Sequence, residues 1–289
     1  MKEKQLAIDA ESVEIQNALQ KIKSLQHSYQ IDTALKFAQT LVNTYPNSLA
    51  SNYINYHLAV ALKDFVKAEE YLKVCISLQS NHPLLLLNYA QLNLNSYKYS
   101  VALEHAWKAF ESYSGRHTGF LSAIAKVMMQ VERPDQAIEV YLKILDISPS
   151  ELQAMHELAL CYFFMNNVEK AEALLNQVII RAPQNAGAIH LRSALKTYSK
   201  STNHIDELKQ LATHKAEAHP AVYYALAKEL EDIGEFDESF EYLKLGAGLM
   251  RKKVNYDERA ELSSIENIVN VTLGTYFEDI KDNNPGPIF

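Results

Sequence analysis

Glycine is scarce: there are 8 in 289 residues, widely spread. Phosphate cradles need clustered glycines so that backbone N–H groups can approach an anion, and no G-x-x-x-x-G-K pattern occurs. Gly246-Ala247-Gly248 is the nearest approach, and helix capping or close packing explains it better. Cysteine is scarcer still. Cys75 and Cys161 are the 2 present, each inside an apolar run, so neither a disulfide framework nor a C-x-x-C pair exists. No run of about 18 apolar residues is found, so no membrane span is expected. The lysines of MKEKQLAIDAESVEIQ are not followed by an apolar core, which argues against a secretory signal and makes cytoplasm the expectation. A basic excess is missing too. Lys and Arg number 28 against 35 Asp and Glu, a net charge of -7, so a phosphate-binding nucleic-acid partner is not expected.

The 10 histidines form no H-x-x-x-H or H-E-x-x-H pair. His204, His214 and His219 lack ligand spacing, so neither a metal nor any other cofactor is expected. Glu229, Glu231 and Asp232 read as a solvated charged face. The single tryptophan, Trp107, reads as packing.

What the chain does have is a ladder. Ala34, Ala68, Ala102, Ala137, Ala171, Ile205 and Ser239 follow one another at steps of 34, 34, 35, 34, 34 and 34. Twelve residues before each stands Ile22, Tyr56, Ala90, Ala125, Ala159, Ser193 or Ala227. Small residues dominate both series, as required where two helices approach closely. A fixed period of this length predicts stacked helix pairs, with repeats over residues 15–48, 49–82, 83–116, 118–151, 152–185, 186–219 and 220–253. Length alone would suggest two domains at about 150 residues each. The repeat overrides that count and predicts one array over 1–254.

Pro46 ends the second helix of repeat one, and Pro83 opens repeat three. Pro134 is placed in the inter-helix turn ERPDQA. Tyr56 stands where a small residue belongs. Repeat six is degenerate, with the long polar turn YSKSTNHIDE. In repeat seven Gly234 is expected to end one helix and Phe236 to plug the turn. Over 255–281, Leu262, Ile265, Ile268 or Val269, Leu273, Tyr276 or Phe277, and Ile280 recur at helical spacing. They predict a capping helix, bent or broken at Gly274. The tail, 282–289, has turn chemistry and an apolar end.

These registers resemble the tetratricopeptide repeat family along residues 15–253. The resemblance implies an all-α, right-handed superhelical solenoid of about seven helix pairs with a C-terminal cap. Residues 223–257, with Arg251, Lys252, Lys253 and the Tyr256-Asp257 pair, also resemble the last repeat of bacterial proteins that carry a sulfotransferase domain after such repeats. Ala247 departs from that pattern, which usually has asparagine there. Pro287-Ile288-Phe289 is similar to the strand that opens the phosphosulfate-binding loop, so the resemblance implies an absent catalytic domain beyond it.

The tetratricopeptide resemblance also assigns groove positions on each first helix. By register these are Tyr53, His57, Leu87, Gln91, Leu94, Ser122, Lys126, Met129, His156, Leu160, Phe163, His190, Thr197, Tyr224, Lys228 and Glu231. Aromatics, amides and modest charge suit a protein or peptide partner. No lysine–asparagine pair stands at the positions that resemble a two-carboxylate clamp, so that mode of anchoring is not expected. The expectation is a noncatalytic binding scaffold, in full-length context the partner-recruiting part of a sulfotransferase. A bracing or homodimer-forming module and a stand-alone adaptor are the alternatives.

Overall fold

A computed structural model describes residues 13–27, 30–213, 219–253 and 257–283. Among them the chain forms fifteen helices and no strand. They are α1 (Val13–His27), α2 (Ile31–Thr44), α3 (Leu49–Ala61), α4 (Phe65–Leu78), α5 (Pro83–Asn95) and α6 (Tyr99–Ser112). Then come α7 (Thr118–Gln130), α8 (Pro134–Ile147), α9 (Leu152–Phe164), α10 (Val168–Arg181) and α11 (Ala186–Ala194). The last four are α12 (Ile205–Thr213), α13 (Pro220–Asp232), α14 (Phe236–Lys253) and α15 (Glu258–Asn283). The chain divides into two compact units, residues 1–196 and 197–289. The division falls inside repeat six, between the two shortest helices, α11 and α12.

From α1 to α10 each odd-numbered helix packs against the even-numbered helix that follows it, and each pair against the next helix. The contact positions of the ladder explain why. Ala34, Ala68, Ala102, Ala137 and Ala171 are each 0 % exposed, as are Ala90, Ala125 and Ala159. A methyl group at these sites lets the two helix axes approach, and a larger side chain would force them apart. Tyr56 is the deviation in this series. It is buried all the same, and burial pushes its hydroxyl up to about 12. α3 is nonetheless a regular thirteen-residue helix. Pro83 and Pro134 each supply the first residue of a helix, where the missing N–H costs nothing. Pro134 therefore belongs to α8 and not to the turn before it.

The turn inside five of the repeats is closed by one recurring device. Lys63, Tyr97, Glu132 and Asn166 adopt positive φ of 60°, 58°, 58° and 55°, and Gly234 takes 85° in the second unit. The next residue then donates its N–H to a carbonyl five residues back, as from Arg133 to Met128 at 2.9 Å and from Glu235 to Leu230 at 2.9 Å. Only glycine takes this conformation without steric cost. Glu132 is exposed, so Glu132→Gly is expected to stabilise the unit by about 1 kcal/mol. A chemical-denaturation midpoint that falls instead would count against this account.

The central core gathers Leu121, Ile124, Ala125, Met128, Val140, Tyr141, Ile144 and Leu158 from α7, α8 and α9. Trp107 packs against its edge beside Phe110. Tyr141 is 1 % exposed and its hydroxyl is buried without a hydrogen-bond partner. Removing an unsatisfied buried hydroxyl relieves its desolvation penalty, so Tyr141→Phe is expected to gain about 1 kcal/mol in thermal or urea unfolding.

Repeats two and three are also tied by charge. Glu69 on α4 meets Lys73 at 2.8 Å, Lys98 at 3.0 Å and the Tyr89 hydroxyl at 3.2 Å. Hydrogen bonds from Lys73 and then Lys98 hold its carboxyl at about 2, against an ordinary value of 4.5. A depressed carboxylate stabilises fully above the unfolded value and ceases to do so as pH falls through the folded one. Glu69→Gln is therefore expected to flatten the fall in urea midpoint between about pH 4.5 and pH 2.

In the second unit α13 and α14 form a close pair. Ser239 donates to the Ala227 carbonyl at 2.7 Å, joining the two small positions directly. Gly246 is buried inside α14, where an added Cβ would lie 3.1 Å from the Tyr224 ring and 3.3 Å from Tyr223 Cβ. Close packing, not capping, is thus its role. Phe236 does not plug the turn, being 66 % exposed at the start of α14. α15 follows where a cap is expected, and it runs unbroken past residue 274. Its residues 258–270 are all exposed. The side chains of Leu273, Tyr276, Phe277 and Ile280, and the tail 284–289, lie outside the described residues.

Candidate functional site

The proposed groove positions fall on the first helices of the repeats: α3, α5, α7, α9 and α11 in the first unit. Each helix turns one side into the core and leaves another toward solvent. His57, Gln91, Lys126 and His190 are exposed, while Tyr53, Leu94, Ser122, Met129, His156, Leu160 and Phe163 are half-buried. Leu87 is the exception. It is 3 % exposed within the central core, so it is a packing residue and not an accessible contact.

Tyr53, Tyr56 and His57 form an aromatic cluster on α3. Tyr53 stacks on Tyr56 at 5.8 Å between centroids and meets His57 edge-on at 4.5 Å. Asn88 donates to the Tyr53 hydroxyl at 3.0 Å, so repeat three fixes the orientation of repeat two's aromatic. Rings packed on His57 desolvate it and pull its pKa below the ordinary histidine value. A neutral imidazole beside phenol rings favours apolar and hydrogen-bonding side chains over acidic ones.

Further along, Met129 Sδ accepts from buried Cys161 at 3.3 Å. Burial pushes that thiol up to about 12, which leaves it a packing residue and not a nucleophile. Beside Met129 lies a recess of about 580 Å³ lined by Met129, Gln130, Glu132, Pro134 and Phe164. Phe164 is 60 % exposed and packs on Phe163, their centroids 5.8 Å apart. Sequence register pointed to Met129 and Phe163 but missed Glu132, Pro134 and Phe164. Glu132 lies in a turn and Pro134 and Phe164 at helix ends, which a pattern of helix-face positions does not sample. On α9, His156 lies close to the backbone of Gly187 at the start of α11.

Tyr224, Lys228 and Glu231 belong to the second unit. Tyr224 is half-buried and Glu231 exposed, as is Thr197 at the start of that unit. Lys228 is engaged within the unit. It pairs with Asp232 at 2.6 Å and sits 5.1 Å over the Tyr198 ring.

Glu229 and Asp232 overturn the reading of a solvated face. Glu229 is 0 % exposed and accepts from the His204 backbone N–H at 2.6 Å, with the His204 ring at 3.2 Å. Asp232 accepts from Tyr198 N–H at 2.8 Å. Both carboxylates thus hold the irregular stretch that leads into α12.

Among the described residues no three metal-ligating side chains cluster, and no helix is long and apolar enough to cross a membrane. What the first unit offers is a row of rings, amides and a thioether with one lysine, Lys126. Such a surface can hold a polypeptide by side-chain burial and hydrogen bonding.

The tetratricopeptide repeat profile matches residues 128–195. An uncharacterized protein of Aquifex aeolicus (strain VF5) is 21 % identical over 160 residues, covering 54 % of this chain and only 21 % of that protein. The chain thus matches about a fifth of that relative's length. A tetratricopeptide repeat protein of Parabacteroides merdae superposes with a TM-score of 0.54 at 13 % identity, covering 90 % of this chain and 98 % of that one. The Pseudomonas aeruginosa pilF structure gives 0.51 at 15 %, covering 81 % and 97 %. The structure of Naa15/Naa10 bound to HypK-THB gives 0.53 at 15 %, covering 91 % and 43 %. Identities this low establish the fold, which is that of a tetratricopeptide array.

Proposed function

We propose that this chain is a noncatalytic protein-interaction scaffold that holds a peptide or protein segment on the first-helix face of its first unit. The observation that carries the reading is the open row His57, Gln91, Lys126 and Leu160. Successive repeats keep this register at least partly exposed while the opposite side of each helix is buried. Repeat arrays use such faces as extended binding surfaces. The Tyr53–His57 cluster and the recess between Met129 and Phe164 would supply the anchors, because aromatic pockets contribute most of the affinity in such contacts.

The test starts from a displayed random-peptide library selected on the intact chain. Affinity of the selected peptides is then measured by fluorescence anisotropy. Tyr53→Ala, His156→Ala and Phe163→Ala are each expected to weaken binding at least about tenfold, the effect of losing an anchor. Binding unchanged in all three would place the site elsewhere.

A finer reading follows from the resemblance of residues 223–257. In a longer protein, the scaffold would deliver a polypeptide to a sulfotransferase. The residues that carry the resemblance lie in the basic last turn of α14, Arg251 to Lys253, and at the Asp257 carboxylate. The latter accepts from Arg259 N–H and Ala260 N–H and so caps α15. Isothermal titration with a phosphosulfate nucleotide is expected to give no heat above dilution. Saturable heat would move the chemistry into this chain.

A further inference from the structure

The outer face of α14 is unfinished. Phe236, Phe240, Leu243, Ala247 and Met250 recur at steps of four, three, four and three, the spacing of a helix–helix seam. Leu243 is 44 % exposed. At the equivalent position of the first five repeats stand Ala38, Leu72, Ala106, Tyr141 and Leu175, all 0–1 % exposed. There the first helix of the following repeat lies alongside. Nothing covers the corresponding face of α14 among the described residues.

α15 carries a matching stripe. Leu262, Ile265 and Val269 recur at steps of three and four, and are 53 %, 54 % and 46 % exposed. Read backwards from Met250, α14 has the same steps. An antiparallel pairing would therefore seat Met250 against Leu262, Ala247 against Ile265 and Leu243 against Val269. One charge pair agrees with it, although Arg259 falls opposite Lys253 at the end of the seam. α14 ends on Arg251, Lys252 and Lys253, while α15 begins with Glu258 and Glu261. The same register sets Arg251 opposite Glu261.

We propose that the occupant of this face is a second copy of the chain: α15 of each copy lies antiparallel on α14 of the other. Among the described residues of one chain both stripes are left open. Reciprocal exchange closes all four in a two-fold dimer, the self-complementary arrangement such symmetry requires. Each seam would run the length of α14, about 27 Å for its eighteen residues. α15 then finishes the array as a cap supplied in trans. This inference is independent of the peptide-binding reading.

The test uses the full chain. Light scattering is expected to show a mass rising with concentration toward twice 32.8 kDa. The double variant Leu243→Cys with Val269→Cys is expected to oxidise to a covalent dimer on a non-reducing gel, since Cys75 and Cys161 are buried and do not compete. Arg251→Glu is expected to weaken dimerisation, and Arg251→Glu with Glu261→Arg to restore it, which separates loss of contact from misfolding. A monomeric mass at every concentration would overturn the proposal. So would a disulfide formed only within one chain, which would place α15 on its own α14.

Discussion

Ile144→Ala is expected to lower the unfolding free energy of the first unit by about 2–5 kcal/mol. Ile144 is 0 % exposed on α8, within the cluster that joins α7, α8 and α9. Three methyl(ene) groups would be removed from a place that the surrounding helices cannot collapse to fill. The alanine ladder already sets those helices at close approach, so the cavity persists and its cost adds to the lost burial. Repeat arrays are coupled mainly through nearest neighbours, so the damage should also be local. Hydrogen exchange is expected to accelerate in α7 to α9 before α2 and α3. Leu142→Ala on the same helix is the control. Leu142 is 47 % exposed, and its loss should change stability by no more than about 0.5 kcal/mol. Equal effects from the two variants would show that burial does not govern stability here.

Glu229→Ala is expected to cost the second unit about 3–5 kcal/mol, since hydrogen bonds to a charged group contribute about 1.5–3 kcal/mol each. The fully buried carboxylate receives both the backbone N–H and the ring of His204. Without it the His204 N–H is left buried and unpaired at the entry to α12. That helix is only nine residues long, too short to persist without tertiary support. Exchange protection at His204 and through α12 should therefore collapse. Glu231→Ala, two residues away and exposed, should leave both stability and protection nearly unchanged. If the two variants behave alike, Glu229 is not the anchor of this segment.

These two residues mark where the sequence was legible. Ile144 stands seven residues, about two turns, after Ala137 of the ladder, which puts it on the same face of α8, and the structure buries it. Glu229 stands between Lys228 and Leu230 on a helix with charged neighbours, a pattern that reads as solvated surface. It is buried because the long turn of repeat six bonds to that helix through the backbone N–H groups of Tyr198 and His204. Leu87 went the same way. Register assigned it to an open face, but the packing of α5 into the central core covers it. Register does not assign Glu132, Pro134 and Phe164 to the groove, because they sit in a turn or at helix ends, where no periodic pattern assigns a face.

The sequence by itself determined the helix pairs, their order and their contact residues. That follows because only small side chains permit close helix approach, and their recurrence every 34 or 35 residues allows one packing scheme. Only the tertiary structure decided which polar groups are buried, which groove positions stay accessible and which helix faces are left without a neighbour. Burial at any position depends on segments that arrive from elsewhere in the chain. A periodic pattern records where a helix touches its own partner, and is silent about the irregular stretch or the missing repeat beside it.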